Sequence, residues 1–85
     1  MYIHIGNEKI VKQEEIIGIF ALESTTISKR TRDFLTKAEK KGEVITVSYE
    51  LPKSFVLCSK KRREQTVYIS QLSSNTLLKR SENID

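Results

Sequence analysis

The segment ISKRTRDFLTKAEKK, residues Ile27–Lys41, has the clearest helical period in the chain. At about 100° per residue, apolar and small side chains of this segment fall on one side. They are Ile27, Thr31, Phe34, Leu35 and Ala38. Thr25 or Thr26 can cap the first turn, and Gly42 can end the last because glycine reaches the left-handed conformation. The pattern predicts an amphipathic helix.

The same segment carries six basic and two acidic side chains, a surplus equal to the net charge of +4 of the whole chain. Asp33 stands four residues from both Lys29 and Lys37, so we expect it to neutralise part of this stripe. Two interpretations remain open. The stripe is either a solvated outer face with ordinary ion pairs or a surface that faces phosphates.

Ahead of the helix, the sequence predicts a small hairpin. Tyr2–Ile5 alternates as a strand does, Gly6-Asn7 is a strong turn signal, and Lys9–Lys12 reads as the returning strand.

The most apolar stretch is Ile16–Leu22, which lacks alternation and is therefore apolar on both faces. Such a strand is usually central and covered on each side, here by the helix and by a second layer or a neighbouring subunit. Gly18 inside it predicts a bulge or a close backbone approach. Four of its side chains are our candidates for a subunit contact. They are Ile16, Ile17, Ile19 and Phe20.

Three further strands, Val44–Tyr49, Ser54–Ser59 and Thr66–Ser70, follow the helix and predict an antiparallel meander. Ser73 or Ser74 can cap a short closing helix over Asn75–Arg80, and Ser81–Asp85 is expected to fray. The resulting order predicts an α+β fold, with small antiparallel sheets packed on one amphipathic helix and a short C-terminal helix.

At 85 residues the chain is a single domain, residues 1–85, of a size at which association adds useful stability. Its single cysteine fits a reducing compartment. It shows neither a secretory leader nor an apolar run of the roughly 20 residues that a membrane span needs. We therefore expect a soluble, cytoplasmic protein that forms a homo-oligomer.

Catalysis finds little support in the sequence. His4 is the only histidine, Cys58 sits in an apolar strand, and the three glycines are too far apart to form a phosphate loop. We therefore predict no catalytic residue, no cofactor, no metal site and no small-molecule substrate. A Cys58–His4 nucleophilic pair is the remaining enzymatic alternative.

The run Lys60-Lys61-Arg62-Arg63 joins two predicted strands, so we expect it at a hairpin tip, in a loop over Lys60–Gln65. It either keeps the tip solvated and protects a sheet edge, or it contacts nucleic-acid phosphates. Lys53 adds to the same surface if the two loops lie at one end of the sheet.

Three segments resemble one known family. They are MYIHIGN (Met1–Asn7), IIGIF (Ile16–Phe20) and YISQLSSNTLLKR (Tyr68–Arg80). Together they resemble the RemB branch of the RemA/RemB extracellular matrix regulators, formerly a domain of unknown function, and the likeness covers nearly the whole chain.

The resemblance implies a compact α+β subunit that assembles into rings and regulates genes. In the RemA branch this implies DNA binding upstream of biofilm-matrix and osmoprotection genes, through one arginine before the apolar strand and a neighbouring pair after the middle tyrosine. This chain has Glu15 at the first position, and Leu51 and Pro52 near the pair. An acidic or apolar side chain cannot replace a guanidinium on a phosphate.

Our leading hypothesis is a ring-forming, DNA-binding transcriptional regulator without enzymatic activity. Its predicted contacts to double-stranded DNA are Lys29, Arg30, Arg32, Lys53, Lys60, Lys61, Arg62 and Arg63. The alternative is an oligomeric protein-interaction module of the same fold that has lost the DNA role.

Overall fold

The computed structural model of the chain describes residues 1–22, 28–61 and 64–82. In these residues six strands and two α-helices form, which confirms the α+β prediction. In chain order they are β1 (Tyr2–Gly6), β2 (Lys9–Lys12), β3 (Ile16–Ala21), α1 (Lys29–Lys40), β4 (Val44–Thr46), β5 (Ser54–Lys61), β6 (Glu64–Ser70) and α2 (Ser74–Glu82). A 3-10 turn, Gln13–Glu15, separates β2 from β3.

The hairpin prediction is confirmed, since β1 and β2 pair antiparallel around a turn at Asn7 and Glu8. The other four strands form one sheet in the order β3-β5-β6-β4. Here the predicted meander is wrong, because β4 pairs parallel with β6 and is not paired with β5. The reason is α1, which carries the chain across the sheet before β4 begins, so that β4 enters from the opposite edge.

Two strand lengths also differ from prediction. The fourth strand ends at Thr46 instead of Tyr49, because a turn follows in which the Ser48 hydroxyl accepts a hydrogen bond from the Glu50 backbone N–H at 3.1 Å. The β5–β6 hairpin is longer than expected, with strands reaching Lys61 and Glu64, so the loop predicted over Lys60–Gln65 is mostly strand.

The apolar stretch Ile16–Leu22 forms an edge strand, and the prediction of a central position is wrong. Its two apolar faces arise because both faces of the sheet are covered. Ile16 and Ile19 pack against the core beneath the hairpin, whereas the Phe20 ring stacks on Phe55 on the other face, with ring centroids 4.8 Å apart.

The predicted irregularity at Gly18 is confirmed as a bulge, since the β3–β5 register shifts between Ile16 and Gly18. A Cβ atom at Gly18 would lie 2.8 Å from the Phe20 ring. A side chain at this position would therefore displace the Phe20 ring, which here lies back along its own strand.

The sheet has one layer on each face, because alternate residues of β5 and β6 point to opposite sides. On one face, Phe55 and Val67 pack against Ala38, Phe34 and Leu35 of α1. On the other, the hairpin and α2 cover a second core. Its buried members are Ile3, Ile5, Val11, Val47, Val56, Cys58, Tyr68 and Leu77.

Two buried serine hydroxyls join the layers on the hairpin face. Ser70 Oγ donates to the Ile5 carbonyl at 2.6 Å, and Ser54 Oγ donates to the Leu72 carbonyl at 2.7 Å. Because a buried polar group without a partner is costly, these bonds hold β1 and the segment before α2 in place on the sheet.

Local signals account for the helix ends. The N-cap of α1 is Ser28, whose Oγ accepts from the Thr31 N–H at 3.2 Å, so the prediction of Thr25 or Thr26 is wrong. Gly42 follows the helix with a φ of 73°, as predicted, and Ser73 caps α2 by accepting from the Thr76 N–H. Ile27 and residues 83–85 lie outside the described part of the chain.

Candidate nucleic-acid interface

The structure divides the predicted DNA contacts between the two faces of the sheet. Lys29, Arg30 and Arg32 are on α1, whereas Lys60 is exposed on the opposite face, two residues after the buried Cys58. A duplex that lies along one face of a subunit therefore cannot contact both groups.

Lys53 does not join the Lys60 end of the sheet. It directly precedes β5, whose far end holds Lys60. At about 3.3 Å per residue, their backbones lie roughly 23 Å apart. Within one subunit, Lys53 and Lys60 therefore lie at opposite ends of β5 and do not share a surface. Arg62, Arg63 and the side chain of Lys61 lie outside the described residues.

Lys60 borders a cleft of about 300 Å³ between the hairpin and the sheet, here termed the Lys60 cleft. Its lining residues are Tyr2, Lys9, Ile10, Val11, Lys12, Glu15, Lys60 and Tyr68. The sequence does not predict Lys9 and Lys12 as site residues, because Glu14 and Glu15 offset their charge along the chain. Folding brings them to Lys60, and the Lys9 ammonium lies 5.2 Å from the centroid of the Tyr68 ring.

Glu15 is the acidic member of this lining, and it stands where the family resemblance places an arginine. Its negative charge influences two groups in the core below the cleft, Cys58 and Tyr68. Burial, and secondarily the charge of Glu15, raise the pKa of the Cys58 thiol to about 11. Burial is also the main cause that raises the pKa of Tyr68, followed by the charges of Cys58 and Glu15.

The lysines and arginines of the described residues form no close ion pairs. In the described part of the chain, the salt bridge within 4 Å joins the Met1 amino group to Glu14, and no lysine or arginine takes part in one. Asp33 thus forms no such pair with Lys29 or Lys37, so the expected partial neutralisation of the stripe does not involve a direct ion pair. The exposed lysines and arginines keep their charges available for an anionic partner.

The candidate subunit-contact residues separate into two pairs. Ile16 and Ile19 are half-buried against the hairpin core, so they stabilise the subunit itself. Ile17 at the bulge and Phe20 are 62% and 44% exposed. The second pair thus gives the free edge of β3 an apolar character.

The two residues of the enzymatic alternative, His4 and Cys58, lie in different environments. His4 is exposed on β1, whereas Cys58 is buried in the core. Among the described residues, no group of three or more histidine, cysteine or acidic side chains is arranged to hold a metal ion. Within the same residues, no helix is both long enough and apolar enough to cross a membrane.

We expect Cys58 to resist thiol reagents in the folded protein. With its pKa near 11, the thiolate fraction at pH 8 is about 100-fold below that of an ordinary cysteine, and burial lowers access further. Disulfide exchange with a chromogenic reagent should therefore be at least about 100-fold slower in native protein than in urea-unfolded protein. Equal rates in the two states would contradict this placement of the thiol.

Fold and surface together define a small α+β domain with a cleft lined by lysines between its hairpin and its sheet. The chain belongs to the RemA-like family, since the model for that family, described as "Extracellular matrix regulatory protein A-like", matches residues 2–80. It is also 37% identical over 82 residues to "Extracellular matrix regulatory protein B" of Bacillus subtilis (strain 168), covering 96% of this chain and 91% of that protein. The chain is thus a RemB-like member of the family. The Bacillus subtilis relative is named a regulatory protein.

Proposed function

We propose that this chain is a non-enzymatic, cytoplasmic regulator of extracellular matrix genes that assembles into a ring and binds double-stranded DNA. The observation that carries the DNA role is the composition of the Lys60 cleft. Glu15 lines this cleft together with Lys9, Lys12 and Lys60. The position at which the resemblance places an arginine is therefore surrounded by lysines in this chain. Lysines provide the phosphate contacts that the missing guanidinium would make.

Two features support assembly through the edges of the sheet. Edge strands leave backbone groups ready to pair with another chain, and β3 and β4 are the two edges here. Both carry exposed apolar side chains. They are Ile17 and Phe20 on β3, and Ile45 on β4, with Tyr49 and Leu51 in the loop beyond it. Because the two edges differ, β3 of one subunit against β4 of the next is a head-to-tail contact, the type that closes into rings.

Assembly and DNA binding support each other. Glu15 lies near the Cys58 end of β5 and Pro52 near its Ser54 end, so the positions that the resemblance assigns to arginines are far apart in one subunit. A head-to-tail contact is a way to bring surfaces from two subunits together. A ring also repeats the Lys60 cleft, so that weak phosphate contacts combine into useful affinity.

The direct test of this proposal is a fluorescence anisotropy titration of the purified protein against duplex DNA at several salt concentrations. We expect binding that weakens steeply as salt rises, because phosphate contacts release counterions. Absence of binding at low salt would contradict the DNA role.

For assembly, we expect Ile17→Lys to dissociate the oligomer toward the monomer mass of 9.8 kDa. A lysine on an edge strand opposes pairing with another chain, and Ile17 is already exposed, so the fold of the subunit should remain intact. Sedimentation velocity measures the change. Ile10→Lys, at another exposed isoleucine on the hairpin, is the matched control and should leave the mass unchanged. A monomeric parent protein, or an unchanged mass for Ile17→Lys, would refute assembly through this edge.

The second candidate function is an oligomeric protein-interaction module without a DNA role. It is favoured by Leu51, an apolar side chain that is 80% exposed and stands near the position of the arginine pair. Purification from cells under low salt separates the two functions. Recovery of proteins without nucleic acid supports the interaction module, and recovery of DNA fragments supports the regulator.

A further inference from the structure

A second cleft, here termed the Arg80 cleft, lies between β1 and α2; it is open to solvent and has a volume of about 430 Å³. Its lining residues are Tyr2, Ile3, His4, Thr76, Lys79 and Arg80. None of them is acidic, and in the described part of the chain no carboxylate lies within 4 Å of the Lys79 or Arg80 side-chain nitrogens. The charged side chains that line the cleft, Lys79 and Arg80, are therefore both cationic. Apart from Tyr2, which also lines the Lys60 cleft, the function proposed above does not use its lining residues.

The cationic side of the cleft is built on one face of α2. Thr76, Lys79 and Arg80 are spaced at i, i+3 and i+4, so their side chains are neighbours along the helix. Arg80 Nη1 donates to the His4 backbone carbonyl at 2.7 Å, which holds the guanidinium at the mouth of the cleft. An arginine side chain has five N–H donors, so most of its donors stay free for a ligand.

The other side of the cleft is aromatic. Tyr2 is 62% exposed, so its ring offers a flat surface beside the cations. Planar bases stack on such rings with about 1–3 kcal/mol per base. The buried Ile3 side chain adds an apolar wall residue below.

From these features we propose that the Arg80 cleft binds a nucleoside phosphate, with the phosphate on Lys79 and Arg80 and the base on Tyr2. The volume of about 430 Å³ leaves room for a ligand larger than a bare anion. Lys79 and Arg80 lie in the last turn of α2, where the negative end of the helix dipole disfavours an anion. Phosphate binding here therefore depends on the two cationic side chains and gains nothing from the helix backbone.

Isothermal titration calorimetry of the full chain with adenosine 5′-monophosphate tests the proposal. Adenosine, which lacks the phosphate, and ribose 5-phosphate, which lacks the base, are the two partial ligands. We expect a dissociation constant of the monophosphate between about 10 μM and 1 mM, and weaker binding of both partial ligands. No detectable binding of the monophosphate at millimolar concentration would overturn the proposal, as would ribose 5-phosphate binding equally well.

Two variants assign the contacts. Lys79→Gln should weaken monophosphate binding about tenfold, because it removes a hydrogen bond to a charged group. Lys40→Gln, in the last turn of α1, is the matched control and should have no effect. Tyr2→Leu should weaken the monophosphate about fivefold or more and leave ribose 5-phosphate unchanged. Equal affinity of the parent protein and Lys79→Gln would overturn the site, and a Tyr2→Leu effect on ribose 5-phosphate would overturn the role of the ring.

Discussion

Replacing Lys9, Lys12 and Lys60 together with glutamine should weaken DNA binding about 100-fold near 0.1 M salt. Each exposed lysine–phosphate contact is worth up to about 1 kcal/mol, and three such contacts combine to about 3 kcal/mol in one subunit. The three side chains line the same cleft, so they meet the same stretch of phosphates. Anisotropy titration measures the affinity and its dependence on salt, whose slope should flatten by about 0.9 for each phosphate that the variant no longer binds.

The matched control is a triple variant with the same reduction of charge on the other face of the sheet, Lys29→Gln with Arg30→Gln and Lys40→Gln. All three side chains are exposed on α1. If the Lys60 cleft binds the duplex, this control should change affinity only slightly, through the lower net charge. Equal weakening by the two triples would show that total charge governs binding, and a larger effect of the control would place the duplex on α1.

Leu77→Ala should lower the free energy of unfolding by about 3 kcal/mol. The Leu77 side chain is fully buried at 0% exposure, where it joins α2 to the core beneath the hairpin. Removing a buried leucine side chain costs about 2–5 kcal/mol, because apolar packing is removed and a cavity remains. Domains of this size have little stability in excess, so the variant should be largely unfolded at moderate urea concentrations.

Leu78→Ala provides the matched control, since the neighbouring leucine is 42% exposed on the same helix. It should cost less than about 1 kcal/mol, because much of its side chain already contacts water. Urea denaturation followed by circular dichroism, at equal protein concentrations, gives both values. Similar midpoints for the two variants would contradict the packing of α2 on the sheet.

The sequence shows where the cations stand along the chain but not which of them meet in the fold. A run of like charge predicts Lys60 as a contact, whereas Lys9 and Lys12 look neutralised because glutamates follow them in sequence. In the fold, Glu14 pairs with the Met1 amino group, and both lysines reach the Lys60 cleft. Charge counted along a chain ignores strand pairing, which brings residues about 50 positions apart to one cleft.

The Arg80 cleft illustrates the same limit. The sequence predicts a short helix ending near Arg80 and a strand that includes His4, but it does not predict that they meet. Arg80 and His4 are 76 positions apart and are joined by a hydrogen bond. Contacts of this separation depend on the whole topology.

The amino-acid sequence was sufficient for the local features of this protein: the apolar face of α1, the β1–β2 hairpin, the bulge at Gly18 and the end of α1 at Gly42. Each depends on residues within a few positions of one another, where side-chain period and backbone preference act directly. The three-dimensional fold was needed to learn that β3 is an edge strand, that β4 runs parallel to β6, and that α1 and Lys60 lie on opposite faces. Those features follow from non-local pairing and packing, which local patterns do not encode.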